Sequence, residues 1–178
     1  MKKLLVAILS VILLMSPIAD ATTTKTLYGT SNQAITITIT SLANGNYRQS
    51  TAIDNSTNLF LDALVMCKVK SNAASTSGTG YVAIYGYGTA DGGTTYDGGV
   101  TGTDGSYTVD VTPPNLVLIG ILNLNANSTT VERTFTVATA FGGQLPQKWG
   151  IVVSNQTAAT LDAAVGSCWY QGISAQSV

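Results

Sequence analysis

Cys67 and Cys168 are the only cysteines in the 178-residue chain. In an oxidising compartment such a pair forms a disulfide. The closed loop would hold about 100 residues and contribute up to ~4–5 kcal/mol by restricting the unfolded chain. Two separate buried thiols fit the same sequence, because free cysteine is among the most buried residue types. Spacing alone gives no Cα–Cα distance, so both readings stay open.

The next candidates are carboxylates. Residues 88–105 hold three Asp-Gly steps, at Asp91, Asp97 and Asp104. Carboxylates and loop carbonyls are hard oxygen ligands, which makes these three residues calcium candidates. Their spacing matches neither an EF-hand loop nor a calcium-binding nonapeptide repeat. Asp-Gly is also a tight-turn dipeptide, and turn chemistry accounts for each position. No cofactor is therefore expected. The glycines do not form a phosphate cradle, since no Lys-Ser/Thr follows them. Glycoside hydrolysis would need two convergent acids from Asp54, Asp62, Asp91, Asp97, Asp104, Asp110, Glu132 and Asp162. No pair is marked out, and the chain is expected not to be an enzyme.

Aromatic residues offer a third chemistry. Tyr81, Tyr85, Tyr87, Tyr96, Trp149, Trp169 and Tyr170 could stack on sugar rings. Aromatics are equally favoured in cross-strand packing. Packing is expected for Trp149, while Tyr85, Tyr87 and Tyr96 are kept as a candidate glycan surface. Three Asn-x-Ser/Thr triplets begin at Asn55, Asn127 and Asn155. They read as surface loops.

Composition bounds these options. Charged residues make up 10% of the chain, against roughly 25% in an ordinary soluble domain. Histidine is absent. That excludes a Ser-His-Asp or Cys-His site and any His-ligated metal. The few basic residues are scattered, so nucleic acid is not an expected partner. The 26 threonines and 18 glycines suit strands and turns.

Elements must position these residues. Residues 1–21 read as a secretory signal peptide, with Lys2 and Lys3, an apolar run over 4–15, and Ala19-Asp20-Ala21 as the cleavage pattern. An uncleaved anchor, or a hydrophobic N-terminal helix used in assembly, is the alternative. Residues 22–178 read as one domain. Ile35, Ile37 and Ile39 alternate with threonines, which predicts a half-buried strand over 34–40. Residues 48–58 read as loop. Over 59–70, Leu59, Leu61, Ala63, Val65, Cys67 and Val69 share a predicted core face. Further strands are predicted over 81–87, 107–111, 131–137, 149–153 and within 161–174. The nearly continuous apolar run 116–124 predicts a central strand buried on both faces. About eight strands without a helix give an all-β fold, a two-sheet antiparallel β-sandwich that is jelly-roll-like.

Several segments carry a resemblance. They are residues 27–38 (LYGTSNQAITIT), 50–65 (STAIDNSTNLFLDALV), 87–96 (YGTADGGTTY), 141–153 (FGGQLPQKWGIVV) and 170–172 (YQG). Together they resemble a family of small virion-associated β-sandwich proteins of tailed bacteriophages, over roughly residues 27–175. The resemblance implies a structural protein, a capsid decoration or a head- or tail-surface component. It also implies virion subunits as partners and a homo-oligomer, with a trimer as the expected form. It brings no catalytic residues. The leader departs from it, since virions assembled in the cytoplasm have no need of export. The alternatives are a secreted adhesin or carbohydrate-binding module, and an extracellular filament or surface-layer subunit.

Overall fold

A computed structural model describes residues 23–72, 78–109 and 114–177. The leader lies outside the described residues, as does Asp110. The described chain is a sandwich of two antiparallel sheets. The first sheet contains β1 (Thr24–Tyr28), β2 (Gln33–Ile35), β5 (Asp62–Ser71), β9 (Thr130–Thr136) and β11 (Leu161–Ser177). Its order is β1-β11-β5-β9, and β2 also pairs with β11. The second sheet contains β3 (Tyr47–Gln49), β4 (Ile53–Asp54), β6 (Tyr81–Thr89), β7 (Gly105–Tyr107), β8 (Val117–Asn123) and β10 (Lys148–Gln156). Its order is β7-β3-β10-β6-β8, and β4 also pairs with β10.

Eight of these strands form nested pairs: β2 with β11, β3 with β10, β5 with β9, and β6 with β8. First pairs with last, and each inner pair nests inside the previous one. This is jelly-roll wrapping.

Alternation drives the packing. Along β5 each odd-numbered residue from Ala63 to Val69 is buried and its neighbours are half-buried. The buried set meets Val82 and Ile84 of β6, and Trp149, Ile151 and Val153 of β10, in one core between the sheets. On the outer face of β5, Lys68 pairs with Glu132 at 2.7 Å and Lys70 with Asp162 at 3.0 Å. Gly120 of β8 stands where a Cβ would enter the Phe135 ring, so the glycine makes room for that ring between the sheets.

Four expectations are corrected. The apolar run 116–124 is not central. Among the described residues β8 is an edge strand paired only with β6, and Val117 and Leu118 are 49% and 47% exposed. Its second half reaches the core through Leu122 and Leu124, and from its first half only Ile119 packs against it. An uninterrupted apolar run does not by itself distinguish a central strand from an edge strand. The core face over 59–70 begins later than expected, at Ala63. Leu59 has φ +52° and is 70% exposed, and Leu61 is exposed too. The Asn55 side chain closes this turn, donating to the Phe60 carbonyl and accepting from the Phe60 N–H, both at 2.8 Å. The stretch 48–58 contains most of β3 and all of β4, because β10 offers its edge to both. The 34–40 strand loses its ladder after Ile35, although Ile39 stays fully buried. There the Asp104 carboxylate accepts from the Thr38 N–H at 3.1 Å and supplies part of the backbone bonding.

Candidate functional site

Cys67 and Cys168 face each other across β5 and β11 and are joined as a disulfide, with Cα atoms 4.2 Å apart. Both side chains point into the core, at 0% and 3% exposure. The bond is a structural cross-link, shielded from solvent thiols.

The Asp-Gly loop packs on the outer face of the second sheet. Val100 and Tyr107 join Tyr87 and Val152 in a small second core. Tyr87 is fully buried and its hydroxyl donates to the Ser50 carbonyl at 2.7 Å. Burial pushes this phenol up to about 12. Tyr96 stands edge-on to Tyr87 at 5.6 Å. The Tyr107 hydroxyl donates to the Gly98 carbonyl at 2.6 Å.

The three calcium candidates are spent separately on this loop. Asp91 accepts from the Thr89 hydroxyl at 2.6 Å and from the N–H groups of Thr94 and Thr95 at 2.9 and 3.0 Å. These bonds, led by the Thr89 hydroxyl, hold its carboxyl well below the usual range. Asp97 accepts from the Gly88 N–H at 2.9 Å. Asp104 accepts from Arg48 Nε at 2.7 Å and the Thr38 hydroxyl at 2.7 Å. The Arg48 hydrogen bond leads in lowering its carboxyl to about 2. Among the described residues, no three His, Cys, Asp or Glu side chains are grouped to hold a metal ion.

The other acids act in the same way. Asp62 accepts from the N–H groups of Ala63 and Ala138 at 2.7 and 2.8 Å. Asp162 accepts from the N–H groups of Ala164 and Val165. Asp54 accepts from the Ser56 N–H at 2.8 Å. Hydrogen bonding lowers the carboxyls of Asp54 and Asp162. Such groups are poor proton donors near neutral pH.

The aromatic set does not form one platform. Trp149 is fully buried and meets Tyr170 edge-on at 5.4 Å. Trp169 is half-buried and pairs in register with Met66. Of the candidate glycan surface, Tyr87 is buried and Tyr96 leans on it, so those two do not form a face with Tyr85. Tyr85 instead neighbours Tyr47, with ring centroids 6.5 Å apart. Burial raises the Tyr85 phenol, and Tyr47 and Tyr81 add to the effect. Tyr47 was not among the sequence candidates. It follows the Asn44-Gly45-Asn46 turn in a polar stretch, and no alternation there marked a strand.

Of the three Asn-x-Ser/Thr triplets, Asn55 and Asn155 are buried at 5% and 0% exposure, whereas Asn127 is exposed. The third is thus corrected from a surface loop to the buried end of β10, whereas the first is a surface turn, exposed at Ser56 and Thr57, with the Asn55 side chain turned inward. Asn155 Nδ2 donates to the carbonyls of Leu42 and Ala159.

Large exposed apolar side chains include Leu27 and Tyr28 on β1, and Leu59 and Leu61 just before β5. Val117 and Leu118 lie on β8, and Leu118 pairs in register with Tyr85. No family model, curated protein or solved structure matches this chain.

Proposed function

We propose that this chain is a non-enzymatic structural protein that works by packing against other subunits on the surface of a particle. The particle implied by the sequence resemblance is a tailed-bacteriophage virion. One observation carries the packing reading: large apolar side chains are exposed at the sheet edges, at Leu27 and Tyr28 on β1 and at Val117 and Leu118 on β8. Exposed apolar patches mark interaction sites more often than scattered single residues do. The carboxylates cited above are meanwhile committed to turns, caps and ion pairs. The disulfide is compatible with export.

Proteomics of purified particles tests this reading. The protein is expected at a fixed ratio to the capsid protein. Its absence from washed particles, with free protein in the medium, would refute it. N-terminal sequencing of the same material reports whether cleavage follows Ala21.

A carbohydrate-binding module is the second reading, favoured by Tyr47, Tyr81 and Tyr85 on one sheet face. Planar rings stack on the apolar faces of sugars. A glycan array that stays blank would dispose of it.

A further inference from the structure

We propose that a cleft built around Trp169, on the outer face of the first sheet, binds one ring of a neutral sugar. The inference goes beyond the packing reading and does not rest on it. It also uses a different face from the tyrosines of the carbohydrate reading.

Strand register builds the cleft. Thr134 of β9, Met66 of β5, Trp169 of β11 and Ala34 of β2 stand side by side across the sheet. Their sequence neighbours Cys67 and Cys168 are buried in the core, so this row points outward. Leu64 and Gln171 form the next outward pair. Before β2 the chain turns at Asn32, whose φ is +56°, a conformation that asparagine tolerates better than most residues. Ser31 and Asn32 thereby join the lining. The cleft measures about 240 Å³, below the roughly 300–1,000 Å³ of pockets that take drug-sized ligands. That suits a single ring.

The lining selects the ligand. The floor is apolar and half-buried, at Trp169, Met66 and Leu64. The rim is polar and uncharged, at Ser31, Asn32, Thr134 and Gln171. Gln171 Nε2 donates to the Gly29 carbonyl at 2.9 Å, which leaves its Oε1 as an acceptor. Among the described residues, the side chains of Ser31, Asn32 and Thr134 have no protein partner. The next outward pair along the β5–β9 ladder, Lys68 and Glu132, is an ion pair at 2.7 Å. A charged ligand would therefore meet no counter-charge in the lining. A sugar ring has an apolar face to lie on an indole and hydroxyls around its edge for the rim. Docked proteins use exposed apolar patches instead, and none of the large exposed apolar side chains lines this cleft.

Proton–nitrogen correlation NMR of the purified protein tests this, because the two indoles report separately. Trp149 is fully buried and Trp169 half-buried. The probes are glucose, galactose, mannose and N-acetylglucosamine, with a proline tetrapeptide as the competing ligand class. At least one sugar is expected to shift the Trp169 indole N–H and leave that of Trp149 in place. Trp169→Ala should weaken binding about tenfold, as loss of a stacking face does, whereas Tyr85→Ala leaves it unchanged. A Trp169 signal unmoved by every sugar, or moved by the peptide alone, would overturn the assignment. Binding lost in Tyr85→Ala but kept in Trp169→Ala would overturn it too, and would place the carbohydrate reading on the tyrosine face. If Trp169→Ala does not fold, the wild-type amides decide: sugar-induced shifts that bypass Ser31, Asn32 and Thr134 refute the cleft. Presence on particles bears on the packing reading alone.

Discussion

Reducing the Cys67–Cys168 bond leaves every other covalent bond of the chain in place, so its effect falls mainly on the unfolded state. The sequence separation is 101. For a loop of about 100 residues the chain-entropy relation gives about 4.7 kcal/mol. Native β5 and β11 are already held by their ladder, from Leu161 to Ile173. The bond therefore adds little order to the folded state, and nearly the whole effect is loop restriction. Measured losses for native disulfides run to about 2–5 kcal/mol. With a urea m-value of about 2 kcal/mol per molar, the midpoint falls by roughly 1–2.5 M on reduction. The oxidised chain also exposes less surface when unfolded, so its m-value is the smaller one. The assay is equilibrium urea unfolding with and without reductant, followed by tryptophan fluorescence, with thiols counted in the native protein. Equal unfolding free energies for the two forms would refute the reasoning. So would two free thiols in the native protein.

Three other outcomes follow from the geometry. Tyr87→Phe removes a buried hydroxyl from the Ser50 carbonyl and is expected to cost about 1 kcal/mol in thermal or urea unfolding; an unchanged midpoint would show that the bond contributes nothing. The folded Tyr87 phenol lies at about 12, above its unfolded value of 10.0, so the stability it confers is complete below pH 10 and is lost as pH rises towards 12. Ultraviolet titration should show the Tyr87 phenol ionising near pH 12 in the folded protein and near 10 once unfolded. Asp104 has the opposite sign. Its folded value of about 2 is below 3.8, so its contribution is present above pH 4 and fades as pH falls towards 2. Asp104→Asn should flatten that acid limb, and an unaltered limb would reject the Arg48–Asp104 assignment. Gly120→Ala places a Cβ in the Phe135 ring and should cost about 1–3 kcal/mol through overpacking, read as a lower melting temperature. A neutral result would mean that the ring moves freely.

Strong alternation was legible without a structure. β5 from Ala63 to Val69, β6, β9 and β10 fall where period-two patterning places them, because that pattern reports which face is buried. Short strands were not legible. β3 and β4 have three and two residues, too few to show a period, and they exist because β10 offers them an edge. The Asp91-Gly92 and Asp97-Gly98 steps carry glycines at positive φ, as turn chemistry predicts, whereas Gly105 opens β7. The packing of this loop over Tyr87 was hidden, because a loop residue such as Val100 carries no periodic signal. For the same reason the aromatic candidates were divided between two cores and two outer faces.

The sequence by itself determined the all-β class, the turn positions, the core face of the longer strands, and the poverty of charge and histidine. Those follow from residue type and local period. Tertiary structure decided which strands are central and which lie at an edge, whether the two cysteines meet, and where each carboxylate finds its donors. These depend on contacts between residues distant in sequence. Cys67 and Cys168 are 101 positions apart yet face each other across a single pair of strands. The apolar run at 117–123 shows the same limit: its hydrophobicity was plain, but only the strand order reveals that it lies at a sheet edge with Val117 and Leu118 exposed.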